Sequence, residues 1–259
     1  MKLKQWFKKE WWETKALLKS IPATIMTMFC IALILMNLFA NKQMVDVGEW
    51  LALDCGMLIS WLAFFTMDMV VRRFGPKAST RLTVVATAVN LFVCLIMLII
   101  GAIPNNWGAA YMQDGSVNAS INAALDSTIS GTWYVLMGST IAFITSAITH
   151  AAINWSLRKM FKNKNSSKSY LVCSYVSTSV GQFVDNLIFA LIVSLNFFGW
   201  NFLQCITCAL TGMVIELVFE LIFAPFGYKI TKRWEEQGVG EEYLKLVEEN
   251  NESIDNRDN

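Results

Sequence analysis

Long stretches of the chain carry no Asp, Glu, Lys or Arg. Ser20–Asn41, Leu82–Gln113, Ser127–Leu157, Ser169–Val184 and Asn186–Ile215 are all free of them. A helix crosses the hydrocarbon core of a bilayer with about 20 apolar residues, so these runs hold several spans. The pattern predicts helices over 22–40, 50–71, 82–103, 132–156, 171–195 and 202–227. The second of these contains Asp54 and Asp68; the last two contain Asp185, Glu216 and Glu220. The alternating ten-residue segments of a transmembrane barrel are absent. The expected fold class is therefore an all-α membrane protein with six transmembrane helices. Spans 1–3 and 4–6 enter from opposite sides, three helices each. That arrangement allows 3+3 inverted repeats with Asp68 and Asp185 on equivalent middle helices.

Charge sets the orientation. Of the 21 Lys and Arg, Lys42 alone falls on one side of the predicted spans. The others cluster before the first span, around Arg72–Arg81, after the fourth span at Arg158–Lys168, and after the sixth. Positive charge stays inside, so both termini are expected to be cytoplasmic and the chain to be a multi-pass protein of the cell (inner) membrane. Trp50, Trp107, Trp133, Tyr134 and Trp200 mark the outer interface; Trp12, Trp155, Tyr170, Tyr228 and Trp234 mark the inner one.

Composition supports this division and adds two flanks. The chain has 259 residues, 55% apolar and only 16% charged, with net charge +1; mean hydropathy is +0.44. No basic globular face exists for nucleic acid. The six cysteines lie in or beside apolar runs, which is not the pattern of a disulfide scaffold. Residues 1–19 mix Lys with Trp, Phe and Leu and read as an amphipathic helix on the cytoplasmic leaflet, an anchor that sets topology. They do not read as a cleaved signal peptide, because the apolar stretch after them is of full span length. The transmembrane domain is placed at 20–230. The polar stretch 104–131 is expected to fold over the outer mouth as a short helix. The segment 231–259 reads as an acidic, Asn-rich tail with a disordered end.

The candidate chemistry lies inside the spans, where an ionisable group costs several kcal/mol unless it faces protein or water. Asp68 and Arg72 are four apart, so an ion pair is expected at the cytoplasmic end. Ser146, His150 and Asn154 share a face of the fourth span. Thr178, Gln182 and Asp185 share one in the fifth, with Ser177 and Gly181 beside it, and Asp185 lies near mid-bilayer. Glu216 and Glu220 are stacked one turn apart in the sixth, so either one is protonated or a cation sits between them. Asp185, Glu216 and His150 are expected to line one cavity, with Gln182, Thr178, Ser177 and Asn37 at its wall. Glu220, Asp68 and Arg72 are assigned to coupling or gating. The acid surplus suits a cationic or donor-rich small molecule, proton coupling, or both. No Walker A or HExxH pattern occurs, and Cys205-x-x-Cys208 lies in an apolar helix start, so neither cofactor, metal centre nor enzyme is expected.

Several segments resemble the VUT family, also called the YhhQ or queuosine-precursor transporter family. FFTMDMVVRRFGPKASTR, around Asp68, resembles its signature of an Asp near the end of the second span, a short aromatic-Gly turn and a basic loop. VSTSVGQFVDNLIFALIVS resembles its fifth span. Asn37 stands where the family has an Asn, and Pro225, Gly227 and Tyr228 resemble its last-span ending. The resemblance runs from about Ile25 to Lys232. It implies a six-helix inner-membrane carrier of 7-deazaguanine bases such as preQ0, preQ1 or queuine, secondary or facilitated. The partners it implies are a nucleobase-like small molecule and the lipid bilayer, with a homo-oligomer left open. One carboxylate can accept the N–H and exocyclic amine of such a base, and Trp61, Phe65 or Phe183 can stack on its ring. His150 replaces a family Asp, Arg72 is often acidic in relatives, and Glu216 and Glu220 lie where some relatives have a basic residue. Two other classes remain open at this point: the substrate-binding subunit of an energy-coupling-factor vitamin importer, and a membrane enzyme. An importer subunit would carry a docking Ala-x-x-x-Ala stripe in an early span, which is not seen, and no nucleophile motif accompanies His150.

Overall fold

The computed structural model describes residues 3–103, 107, 115–160 and 167–258. In chain order these form α1 (Leu3–Ser20), α2 (Ala23–Phe39), β1 (Gln43–Val47), β2 (Leu51–Asp54), α3 (Met57–Phe74), α4 (Pro76–Gly101), α5 (Gly115–Met160), α6 (Ser167–Phe189), α7 (Phe202–Glu236) and α8 (Glu241–Asp258). A π turn, Ala190–Ser194, continues α6 directly. Helices dominate because the apolar runs satisfy their backbone groups internally, as a bilayer demands. Among the described residues, α4, 120–150 of α5, 175–194 and α7 are long and apolar enough to cross a membrane. The pair α1 and α2, bent by 105°, makes a fifth candidate. α3 carries Asp68, Arg72 and Arg73 within 18 residues, which keeps it outside that group. The chain is thus a multi-pass, predominantly helical membrane protein with four to five candidate spans among the described residues.

Three expectations change. The helix expected over 50–71 begins as a strand: Gln43–Asp54 is an antiparallel hairpin, and α3 starts only at Met57. Asp54 causes the break, since its Oδ1 accepts the Gly56 N–H at 2.8 Å, a side-chain turn that sets a helix start. In place of a separate short helix over 104–131, residues 115–131 continue α5 without interruption; of the rest of that stretch only Trp107 is described. The tail is helical over Glu241–Asp258 rather than disordered at its end. Gly240, at φ +78°, turns the chain into α8, and Glu241 and Glu242 complement the helix dipole.

The chain divides into two compact units. Met1–Leu33, Trp61–Ala88 and Glu220–Asn259 form the first. There Arg81 of α4 reaches Glu10 at 3.0 Å, Glu13, and the Tyr243 hydroxyl at 2.8 Å. Asn250 donates to Glu13 at 2.9 Å, so α1, α4 and α8 meet at one buried guanidinium. Beside this cluster α1 exposes Phe7, Trp11 and Trp12.

Ile34–Ser60 and Val89–Phe219 form the second unit. Its hairpin buries Ala52 and Leu53 against Met57, Ala190, Trp200, Cys205 and Cys208. Three side chains from the start of α7 and its approach grip hairpin carbonyls: Asn201 that of Glu49 at 3.1 Å, Gln204 that of Gly48 at 2.8 Å and Thr207 that of Trp50 at 2.6 Å. α5 packs along α6. At the π turn the Tyr134 hydroxyl donates to the Ile192 carbonyl at 3.0 Å, while Gly138 lets Val193 approach the α5 backbone.

Candidate functional site

The second unit's site is built on α6, where a four-residue repeat puts Ser177, Gly181 and Asp185 on one stripe. Gly181 allows close approach to α5: a Cβ there would stand 3.3 Å from the Cβ of His150. Two hydrogen bonds hold that contact. Ser146 donates to the Gly181 carbonyl at 2.8 Å, and the Ser177 hydroxyl pairs with His150 Nε2 at 3.1 Å. His150 therefore has a protein partner, and Ser177 is fully buried.

One turn further along α6 the polar groups are buried but unmatched. Gln182 is 2% exposed, and neither its Oε1 nor its Nε2 has a hydrogen-bond partner. Asp185 Oδ1 is likewise buried without one. Each such atom costs about 1–3 kcal/mol if nothing fills the role, and three such atoms lie on adjacent turns of α6. Thr178 is half-buried on the same helix. Phe183, expected as a stacking ring, is half-buried there as well.

The next residue, Asn186, links this stripe to α7. Its Nδ2 donates to Glu216 Oε2 at 3.2 Å, and Ser60 of α3 donates to Oε1 at 2.8 Å. Glu216 is 3% exposed and interacts electrostatically with Asp185 and Asp54. Asp54, at the end of β2 and outside the helices, is lifted to about 7 by burial, against the Gly56 N–H bond that pulls it down. Asn37 is buried in this unit, with its carbonyl accepting Asn41 Nδ2 at 3.4 Å.

The first unit holds the other acids. Asp68 shares a side-chain hydrogen bond with Glu220, which requires a proton between the two carboxyls. Arg72 lies over the Tyr228 ring, 4.2 Å from its centroid. The expected Asp68–Arg72 ion pair is therefore not formed; the aromatic face takes the guanidinium instead. Trp61 stacks on Phe223 at 4.4 Å, with Phe65 edge-on at 5.9 Å.

Ser60, Glu216 and Asn186 thus form a hydrogen-bonded group, with the unmatched Gln182 and Asp185 on the same helix as Asn186 and the Ser177–His150 contact between α6 and α5. Ser60 and Asn186 escaped the sequence reading. A lone serine or asparagine in an apolar run carries no signal of its own, although Asn186 directly succeeds Asp185. Among the described residues no cluster of three or more His, Cys, Asp or Glu is arranged to hold a metal ion.

A family described as "Putative vitamin uptake transporter" matches residues 54–230. The matched stretch contains Asp54, Ser60, Asp68, His150, Gln182, Asp185, Asn186, Glu216 and Glu220, and leaves out Asn37. No curated protein and no solved structure gives a significant match.

Proposed function

The chain belongs to this family of uptake transporters, and from that premise we propose that it carries a 7-deazaguanine-type base into the cell across the inner membrane. One observation carries the reading: the unmatched Gln182 and Asp185 atoms. A glutamine amide offers one acceptor and one donor. It pairs with a cyclic lactam, whose N–H and C=O stand side by side. Asp185, one turn on, accepts from an exocyclic amine beside that lactam. Acceptor, donor and donor in sequence is the edge of a guanine-like ring. A site with buried polar groups rejects analogues that leave those groups unpaired, by as much as about 10⁴-fold.

The remaining architecture accords with the same reading. α3 is the sixth span, shielding Asp68 through Glu220 rather than through lipid-facing charge. Both termini lie in the cytoplasm, a placement that the Lys and Arg distribution supports. Helices α2–α4 and α5–α7 are the two inverted repeats. Residues 1–19 lie on the inner leaflet and 231–259 form a cytoplasmic segment. Substrate contact belongs to Asp185, Gln182, Thr178, Ser177, His150, Glu216 and Asn37. Coupling or gating belongs to Asp68, Glu220 and Arg72.

Uptake of radiolabelled 7-aminomethyl-7-deazaguanine by proteoliposomes holding the full chain tests the reading. Competition should come from guanine-like bases and not from analogues lacking the exocyclic amine. Asp185→Asn and Gln182→Leu should each lower uptake at least about tenfold, the effect of one lost buried hydrogen bond. Uptake that is absent, or that ignores the amine, overturns the assignment.

A further inference from the structure

We propose that Glu216 is the proton-carrying group of this transporter and that the Ser60 hydroxyl serves it in both of its charge states. The inference rests on the α6 site being the substrate site. Ser60 Oγ stands 2.8 Å from Glu216 Oε1 and 3.2 Å from the Met57 carbonyl oxygen. A hydroxyl owns one proton and two lone pairs. When Glu216 is ionised, Ser60 donates to Oε1. When Glu216 is neutral, the new O–H on Oε1 donates to Oγ, and the serine proton turns to Met57. No heavy atom has to move between the two states. On the other side Asn186 Nδ2 donates to Oε2 at 3.2 Å in both.

A buried carboxyl is ordinarily matched in one state, and changing its charge strands a donor or an acceptor. Glu216 avoids that cost, as a group that must load and unload requires. The ligand belongs alongside, because Gln182 and Asp185 Oδ1 hold unmatched atoms on the helix that supplies Asn186. The titratable groups acting on Glu216 are Asp185 from α6, Asp54 from β2 and Cys208 from α7 itself. α3 presents Ser60, which does not titrate, and His150 of α5 is held at Ser177. One proton is taken from water on one side of the membrane, forms the O–H of Glu216, and is released to water on the other side with the substrate. No further reactant is needed.

Infrared difference spectra of the full chain in lipid nanodiscs, recorded across pH without substrate, read the carbonyl stretch of a protonated buried acid. A titrating band should be present in wild type and lost in Glu216→Gln. Ser60→Ala should displace its midpoint by about one pH unit, the amount by which a hydrogen bond to the ionised carboxylate outweighs one to the neutral acid; Ser60→Thr, which keeps the hydroxyl, should restore it. The serine pair carries the test if Glu216→Gln does not fold. A band unchanged in Glu216→Gln, or a midpoint unmoved in Ser60→Ala, overturns the proposal. The second arm is uptake of 7-aminomethyl-7-deazaguanine, whose pH profile should flatten in Glu216→Gln. A wild type that shows the Glu216-dependent band but takes up none of this base supports the proton site and overturns the substrate reading alone.

Discussion

Arg81 and Tyr243 stand 162 positions apart in sequence and are joined by a 2.8 Å hydrogen bond from the guanidinium to the phenol oxygen. The same guanidinium holds Glu10 and Glu13, so the two ends of the chain are fastened to one residue of α4.

Arg81→Met should accordingly lower the apparent thermal midpoint sharply. It leaves Glu13, 2% exposed, as a buried charge without its main partner, and breaking such a pair costs about 3–5 kcal/mol. Tyr243→Phe removes a single bond and should cost about 1 kcal/mol. Fluorescence-detected gel filtration after heating separates the two, and equal losses would contradict the ranking.

The hairpin should loosen without global unfolding when its grip on α7 is cut. Gln204→Ala removes the bond to the Gly48 carbonyl and Thr207→Val the bond to that of Trp50. Each lowers the cost of local opening by about 1 kcal/mol. Hydrogen exchange over 43–54 should speed several-fold while exchange in α5 stays put. An unchanged hairpin would mean that Ala52 and Leu53 alone hold it.

Asp54 makes stability depend on pH. Its carboxyl titrates near 3.8 when unfolded and at about 7 when folded. Between those values the folded chain keeps a proton that the unfolded chain has lost. Stability therefore falls as pH rises through this window and levels off above it. The shift corresponds to on the order of 4 kcal/mol. Asp54→Asn keeps an acceptor for Gly56 and should flatten the profile, raising the midpoint at about pH 8 relative to wild type more than at about pH 5. Parallel profiles for the two chains would remove Asp54 as the cause.

Gly181 should tolerate little. Gly181→Ala puts a methyl 3.3 Å from His150 Cβ, and Gly181→Leu forces α5 and α6 apart. Overpacking of this kind costs about 1–3 kcal/mol. Uptake in reconstituted vesicles should fall modestly for alanine and be lost for leucine. Wild-type uptake in the leucine variant would show that the close approach at Ser177 and His150 is dispensable.

The features legible in the sequence are those that a bilayer punishes. Charge-free runs located α2, α4, α5, α6 and α7 because lipid tolerates few ionised side chains. The hairpin stayed hidden since Leu51 and Leu53 extend the apolar run that continues into α3; only Gly48 and Asp54 hint at a turn. α8 was concealed by its acids, although Tyr243 and Val247 fall on one helical face. In the site, Asp185 and Glu216 stood out by charge. The hydrogen-bond donors of Glu216, Asn186 and Ser60, are ordinary neutral residues, and only the fold brings them to the carboxylate. The ion pair expected for Arg72 went unformed for a related reason: its partner is the Tyr228 ring, too far along the chain for any helical spacing to connect the two.

The π turn at Ala190–Ser194 winds the last turn of the helix more widely than the α-helical turns before it, and Leu195 follows as its cap. Each residue of an α-helix advances the azimuth by about 100°. Trimming the turn by one residue would restore ordinary winding and rotate α6 by that angle relative to the segment leading into α7. Asp185 and Asn186 would then swing away from Glu216, while Trp200 and Cys205 kept their places. The bulge is thus a phase-setting element: it fixes the bearing of the site without contributing a single atom to it.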